Sequence, residues 1–287
     1  MTPSLRVLRT GPLALVEDLG RPGHAAVGVG RSGAADRSAH RLANRAVGND
    51  EDAAALEVVL GGLELEVRGG PVRLCVTGAP APVTVGGRET GPSYVTSAAS
   101  GDVIRLGVPA YGLRSYLAVR GGIDVAPVLG SRSHDVMSGL GPAPLSEGDD
   151  LAVGSASGRA PAADLLPPLH LPEVVELRVV RGPREDWLVD PDALGATEWR
   201  ASDESNRVGM RLLGDPMRHR DPDRQLPSEG AWRGAVQVPP SGEPVVFLAD
   251  HPVTGGYPVA AVVVDADVDL AAQVRPGQAV RFRWVRT

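Results

Sequence analysis

Short runs in which apolar residues alternate with polar ones, or follow one another without a break, recur along the whole chain. SLRVLRT, LEVVL, LELEV, VRLCVTG, DVIRLG, LRSYLAV, VVELRVV, RVGMRLL, AVQV, PVVFLA, PVAAVVV and AVRFRWV are each bounded by Gly, Pro, Asp or Ser. Runs of this length and flanking predict strands. Three of them share a glycine-led start, at Gly101-Asp102-Val103, Gly148-Asp149-Asp150 and Gly277-Gln278-Ala279, which reads as one turn-plus-strand device used repeatedly. Period 3.6 is clear at one place: Ala39, Leu42, Ala43, Ala46 and Val47 share a face, Asp36 stands at the N-cap and Gly48 at the C′ position. A shorter helix is expected after Pro191, at DALGA.

The pattern predicts an all-β fold with one or two short helices. Composition agrees, because 36 Gly and 26 Pro in 287 residues demand many turns while 43% hydrophobic residues supply a core. Residues 156–172 lack any strand pattern and are rich in Ala and Pro, so we expect a linker there between domains at 1–155 and 173–287.

Charge narrows the partners. A net charge of −6 disfavours a nucleic-acid or anionic-membrane surface and leaves small molecules and proteins. All 29 basic residues are arginine. The chain therefore carries no Schiff-base lysine, no Walker lysine and no lysine to which biotin could be attached. Cys75 is the single cysteine, set inside an apolar run, and is expected to be a buried structural thiol. The six His are scattered without metal-ligand spacing, so no metal is expected. Neither a leader peptide nor a long apolar span is read, which gives a soluble, cytoplasmic expectation.

Three stretches carry candidate chemistry. Gly28-Val29-Gly30-Arg31-Ser32-Gly33 matches GxGxxG ahead of the helix, but the chain after Val47 turns almost purely β. A glycine-rich loop near a site, with Ser32 or Asp36 exposed, is the expectation. In Ser205-Asn206-Arg207-Val208-Gly209-Met210-Arg211, a strand would place Arg207, Gly209 and Arg211 on one face. The arginines would be about 13 Å apart, so at most one would bind an anion directly. In Asp250-His251-Pro252-Val253-Thr254-Gly255-Gly256-Tyr257-Pro258, two core strands are joined by a long turn with Gly255-Gly256 permitting positive φ. Asp250 and His251 there are either a proton-transfer pair or parts of an ordinary capped turn.

EDLGRPGHAAVGVGRSGAADRSAHRLANRAVGND, LEVVLGG, LAVRGGIDV, VLGSRS, GAVQVPPSGEPVVFLAD and TGGYPV together resemble the biotin-dependent carboxyltransferase family, also called allophanate hydrolase subunit 2 or KipA, with members that serve as the C subunit of 5-oxoprolinase. The resemblance implies two cyclophilin-like β-barrel domains. It implies work with a KipI-like (allophanate hydrolase subunit 1) protein and a LamB/YcsF-like subunit, on a small amide, with ATP at a subunit interface. It marks Ser32, Gly33, Asp36, Arg207, Gly209, Arg211, Gln237, Asp250, Thr254, Gly255, Gly256 and Tyr257 as motif positions. On that basis we expect proton transfer from Asp250 with its neighbour His251, anion contacts from Arg207 and Arg211, and substrate contacts from Ser32, Asp36, Gln237, Thr254, Gly255, Gly256 and Tyr257. Arg31 stands where a proline is expected and Asn206 where an aspartate is expected. The implied reaction is ATP-dependent opening of 5-oxoproline to glutamate. The alternatives are carboxyl transfer to urea or a related amide, with biotin supplied by a partner, and a non-catalytic regulator that binds a KipI-like kinase inhibitor.

Overall fold

A computed structural model describes residues 2–156, 161 and 165–286, so part of the expected linker lies outside the described residues. Its contacts group the chain into two units. One comprises residues 1–21, 32–135 and 139–170, the other residues 22–31, 136–138 and 171–287.

The architecture is mainly β, as expected. In the first unit, Asp150–Ala152, Ser4–Thr10, Leu63–Arg68, Val103–Leu106, Val83–Val85 and Arg88–Glu89 form a six-stranded sheet, and Leu13–Glu17, Ala55–Val59, Arg114–Val119, Val72–Gly78 and Val95–Ala98 a five-stranded one. Leu5, Leu65 and Ile104 from the first sheet and Leu56, Leu74 and Leu117 from the second fill a common core. Every residue of Arg114–Val119 is buried, because the opposite face of its sheet is covered by helix α1, Arg37–Val47. Ala39, Ala43 and Ala46 pack there on Ala55, Cys75, Tyr116 and Ala118. Small residues on the helix let it approach the sheet closely.

The boundaries of α1 are those the sequence dictates. The Asp36 carboxylate accepts a hydrogen bond from the Ala39 N–H at 2.9 Å, and Gly48 adopts φ 78°. Beneath its N-terminus, Glu57 accepts from the Ala35 N–H (3.0 Å) and the Tyr116 hydroxyl (2.8 Å), with Arg114 at 3.3 Å. The Tyr116 oxygen in turn accepts from the Asp36 N–H at 2.7 Å. Burial, with Glu57 second, holds the Tyr116 phenol well above its ordinary pKa, so it stays a donor to the carboxylate.

In the second unit, seven strands close a barrel in the order Val174–Arg181, Val259–Val263, Ala235–Gln237, Val245–Phe247, Gly209–Leu213, Trp199–Ala201 and Ala279–Trp284. The last strand pairs in parallel with the first. Alternation sets the faces: Val175, Leu177, Val179, Met210, Leu212, Val236 and Val246 point into the barrel, and their sequence neighbours point outward. Helix α2, Ala193–Ala196, is the short helix expected at DALGA. Helix α3, Asp265–Ala271, is an addition to the elements the hydrophobic pattern predicts. Two arginines hold its acidic side chains, Arg178 on Asp267 and Arg233 on Asp265 and Asp269.

Burial of two titratable groups has measurable effects. The Cys75 thiol, pushed up to about 12 by burial, should resist alkylation in the native protein at pH 8 and react fully after unfolding in denaturant. His40 is fully buried, its Nε2–H donating to the Glu17 carbonyl at 3.1 Å, and burial is the main cause of its lowered pKa. An unfolded chain then binds the extra proton more readily, so His40 should lower stability as pH falls below about 6.5. Urea unfolding midpoints of wild type and His40→Gln between pH 7.5 and 5.5 should converge as pH falls.

Candidate active site

The second unit carries a cleft of about 460 Å³ on the outer face of its barrel. Its floor is a row across three neighbouring strands. Arg211 lies opposite Val245, and Val245 opposite Gln237, so all three side chains share the outward face. Gly209 lies opposite Phe247 in the next row. A Cβ at Gly209 would stand 2.8 Å from Val245 Cγ1, so glycine is required by the packing of the floor. Pro252, Gly255, Gly256 and Tyr257 wall the cleft, with Asn206, Val208, Pro239 and Met137 completing its rim.

The sequence expectations meet this geometry unevenly. Arg207 and Arg211 do not share a strand face, since the strand begins at Gly209 and Arg207 belongs to the turn before it. The turn is closed by Asn206, whose N–H donates to the Gly209 carbonyl and whose Oδ1 accepts from the N–H groups of Val208 (2.8 Å) and Gly209 (3.3 Å). Arg207 is buried and paired in two-pronged fashion with Asp250, Nε to Oδ2 at 2.8 Å and Nη2 to Oδ1 at 3.1 Å. The Val136 N–H also donates to Asp250 Oδ2 at 3.1 Å. Arg207 is thus neutralised beneath the cleft, and Arg211, 54% exposed with Glu204 loosely paired at 3.9 Å, is the cation that lines it.

The Asp250 oxygens serve Arg207 and the Val136 N–H, whereas His251 Nδ1 donates to the Pro252 carbonyl at 2.8 Å. A carbonyl only accepts, so the proton is on Nδ1. The imidazole stacks on Phe247 with ring centres 5.7 Å apart and planes 14° from parallel. The tautomer is therefore set by the backbone beside it.

The two core strands joined by the long turn are not neighbours. Val245–Phe247 and Val259–Val263 do not pair with each other, because Ala235–Gln237 lies between them. Thr254–Gly255 instead forms a small ribbon with Glu229–Gly230, where exposed Thr254 lies outside the residues lining the cleft. Neither Gly255 nor Gly256 has positive φ. A Cβ at Gly255 would stand 2.6 Å from Gln237 Nε2, so a larger residue there would displace the end of the Gln237 side chain. Gln237, 5% exposed, lays its amide against that glycine and donates from Nε2 to the Tyr257 carbonyl at 3.1 Å.

Ser32 and Asp36 belong to the first unit and are buried there, contrary to the exposed loop expected. Ser32, with φ 55°, donates from Oγ to the His134 carbonyl at 3.2 Å, and Asp36 caps α1. The GxGxxG run is preceded by a three-residue 3-10 turn, Ala25–Val27, where a dinucleotide fold needs a strand. Sequence reasoning missed Phe247, although it is one of two phenylalanines in the chain, and Met137, for which no periodic signal exists. Among the described residues no group of His, Cys, Asp and Glu is placed to hold a metal.

Residues 27–284 match the carboxyltransferase domain, subdomain A and B, and the chain belongs to that family. It is 37% identical over 285 residues to the C subunit of 5-oxoprolinase from Escherichia coli, covering 97% of this chain and 90% of that one. It is 30% identical to urea amidolyase of Lachancea kluyveri, of which it spans only 17%. The structure of Kluyveromyces lactis urea carboxylase superposes with TM-score 0.90 at 29% identity, covering all of this chain and 28% of that one.

Removing one partner of the buried pair should be costly. Asp250→Asn is expected to lower unfolding free energy by about 3–5 kcal/mol in urea titrations, with much of the loss recovered in an Arg207→Met/Asp250→Leu double variant. Gly255→Ala should displace the Gln237 amide and cost about 1 kcal/mol, the net worth of its hydrogen bond to the Tyr257 carbonyl, read as a slightly lower melting temperature with the far-UV spectrum retained.

Proposed function

We propose that the chain is one subunit of a heteromeric, ATP-dependent 5-oxoprolinase and contributes the barrel cleft to its active site. The observation that carries this reading is the near end-to-end relation to the C subunit of the bacterial 5-oxoprolinase, which extends over 90% of that relative. The cleft suits a small amide, because Asn206, Gln237, Arg211 and Tyr257 supply hydrogen bonds around an apolar floor of Val245 and Phe247.

A lactam carbonyl is a poor electrophile. Phosphoryl transfer from ATP to the lactam oxygen makes the ring carbon open to water. Cleavage of the C–N bond with protonation of nitrogen, and loss of phosphate to a second water, then gives glutamate, ADP and phosphate. The chain's own cleft does not fit a triphosphate: Arg211 is its one lining cation among the described residues, and Arg207 is already neutralised. Our proposal assigns the nucleotide to a partner or to an interface with one, and KipI-like and LamB/YcsF-like chains are the partners proposed. This chain's part is to bind and orient the amide, and His251, next in sequence to the lining residue Pro252, is the group proposed for proton transfer.

Carboxyl transfer to urea or a related amide is the second reading, favoured by the family match and by the urea carboxylase fold. Covalent biotin does not fit this chain, which has no lysine, so the carboxyl group would arrive on another chain. Purified alone, the chain should release no glutamate from 5-oxoproline, and with its sister subunits it should do so only with ATP. Full activity of the lone chain would refute the subunit assignment, and labelled carboxyl transfer from a biotinylated carrier to urea would favour the second reading.

A further inference from the structure

Two carboxamides in the cleft have their orientation fixed by the backbone groups they meet. Gln237 points Nε2 at the Tyr257 carbonyl, which can only accept, so the nearer amide atom must be nitrogen. Its Oε1 accepts no hydrogen bond among the described residues and is not shut away from solvent, so it opens on the cleft. Asn206 is the reverse case. Its Oδ1 meets two backbone N–H groups, those of Val208 and Gly209, which can only donate. Its Nδ2 is thereby turned outward, with no acceptor among the described residues, on the same cleft.

The cleft therefore has a built polarity. Gln237 supplies an acceptor at one side of Val245, and Arg211 a cationic donor at the other. The two backbones are two strand spacings apart, about 10 Å, with Val245 between them on the same face. Asn206 adds a second donor on the lining. Were residue 206 an aspartate, the same turn would be closed by one carboxylate oxygen, but the other would present negative charge in place of an N–H.

We infer that Asn206 and Gln237 determine which ligands the cleft accepts: Gln237 Oε1 receives an amide N–H, and Asn206 Nδ2 with Arg211 receives a carboxylate on the same small molecule. The inference deepens the proposed reading and rests on it, since a carboxylate-bearing lactam has both features and urea lacks the second. Unlike an exposed ion pair, an oriented amide discriminates sharply, because the wrong partner leaves like poles facing.

Calorimetric titration of the whole chain, alone and with its sister subunits, separates these roles without relying on turnover. The probes are 5-oxoproline, its N-methyl derivative and 2-pyrrolidone, which lacks the carboxylate. Wild type should bind 5-oxoproline at least about tenfold more tightly than either analogue, a difference of about 1.4 kcal/mol. Asn206→Asp, which keeps the turn, should abolish the preference for the carboxylate and leave 2-pyrrolidone affinity within about twofold. Gln237→Met should abolish the preference for N–H over N-methyl. Unchanged preferences in these folded variants, or no lactam binding to chain or complex at millimolar concentration, would overturn the assignment. ATP-dependent glutamate release by the assembled subunits tests the broader reading independently, and it can succeed even where this assignment fails.

Discussion

The buried pair of Arg207 and Asp250 is the constraint on which the cleft depends. Each residue lies just beyond a strand, Arg207 before Gly209–Leu213 and Asp250 after Val245–Phe247, and the N–H of Asp250 also donates to the Arg207 carbonyl at 3.0 Å. The ion pair thus locks the ends of two neighbouring strands together at the point where the chain turns to build the rim. An isolated buried charge is expensive, whereas a two-pronged pair with an added N–H donor is matched. Its benefit is conformational: Asn206 and His251, the immediate sequence neighbours of the pair, inherit fixed positions.

The first unit uses a related device for another end. Glu57, Tyr116 and Arg114 sit beneath the N-terminus of α1, and the carboxylate and phenol together receive the Ala35 and Asp36 N–H groups. Of the residues the family resemblance marks, Asp36 is held by this network, and Ser32 by its hydrogen bond to the His134 carbonyl. Both are buried within that unit.

Much of the β framework was legible because strand signals are local. All the apolar runs singled out contain strands, and the three glycine-led starts have glycines with φ of 94°, 94° and 79°. Asp36 and Gly48 bounded α1 for equally local reasons. Failures arose where a neighbour distant in sequence decides. Gly255 looked like a conformational glycine, but its φ is ordinary and Gln237 claims the space. PVVFLA and PVAAVVV read as two core strands joined by a long turn, and it is AVQV that lies between them in the sheet. Period-two reasoning put Arg207 beside Arg211, and one turn capped by Asn206 broke the period. Helix α3 was hidden because its acidic residues read as loop until Arg178 and Arg233 are placed against them.

The barrel closes through a parallel pairing between Val174–Arg181 and Ala279–Trp284, strands roughly a hundred positions apart. Parallel neighbours cannot be joined by a tight turn, so this seam forms only after the intervening chain has been threaded into place. During ribosomal synthesis the opening strand of the unit must wait, one edge unsatisfied, for the final strand to emerge. Such an exposed edge invites pairing with foreign strands, and the alternating Glu176, Arg178, Arg281 and Arg283 on its two lips supply charge that discourages it.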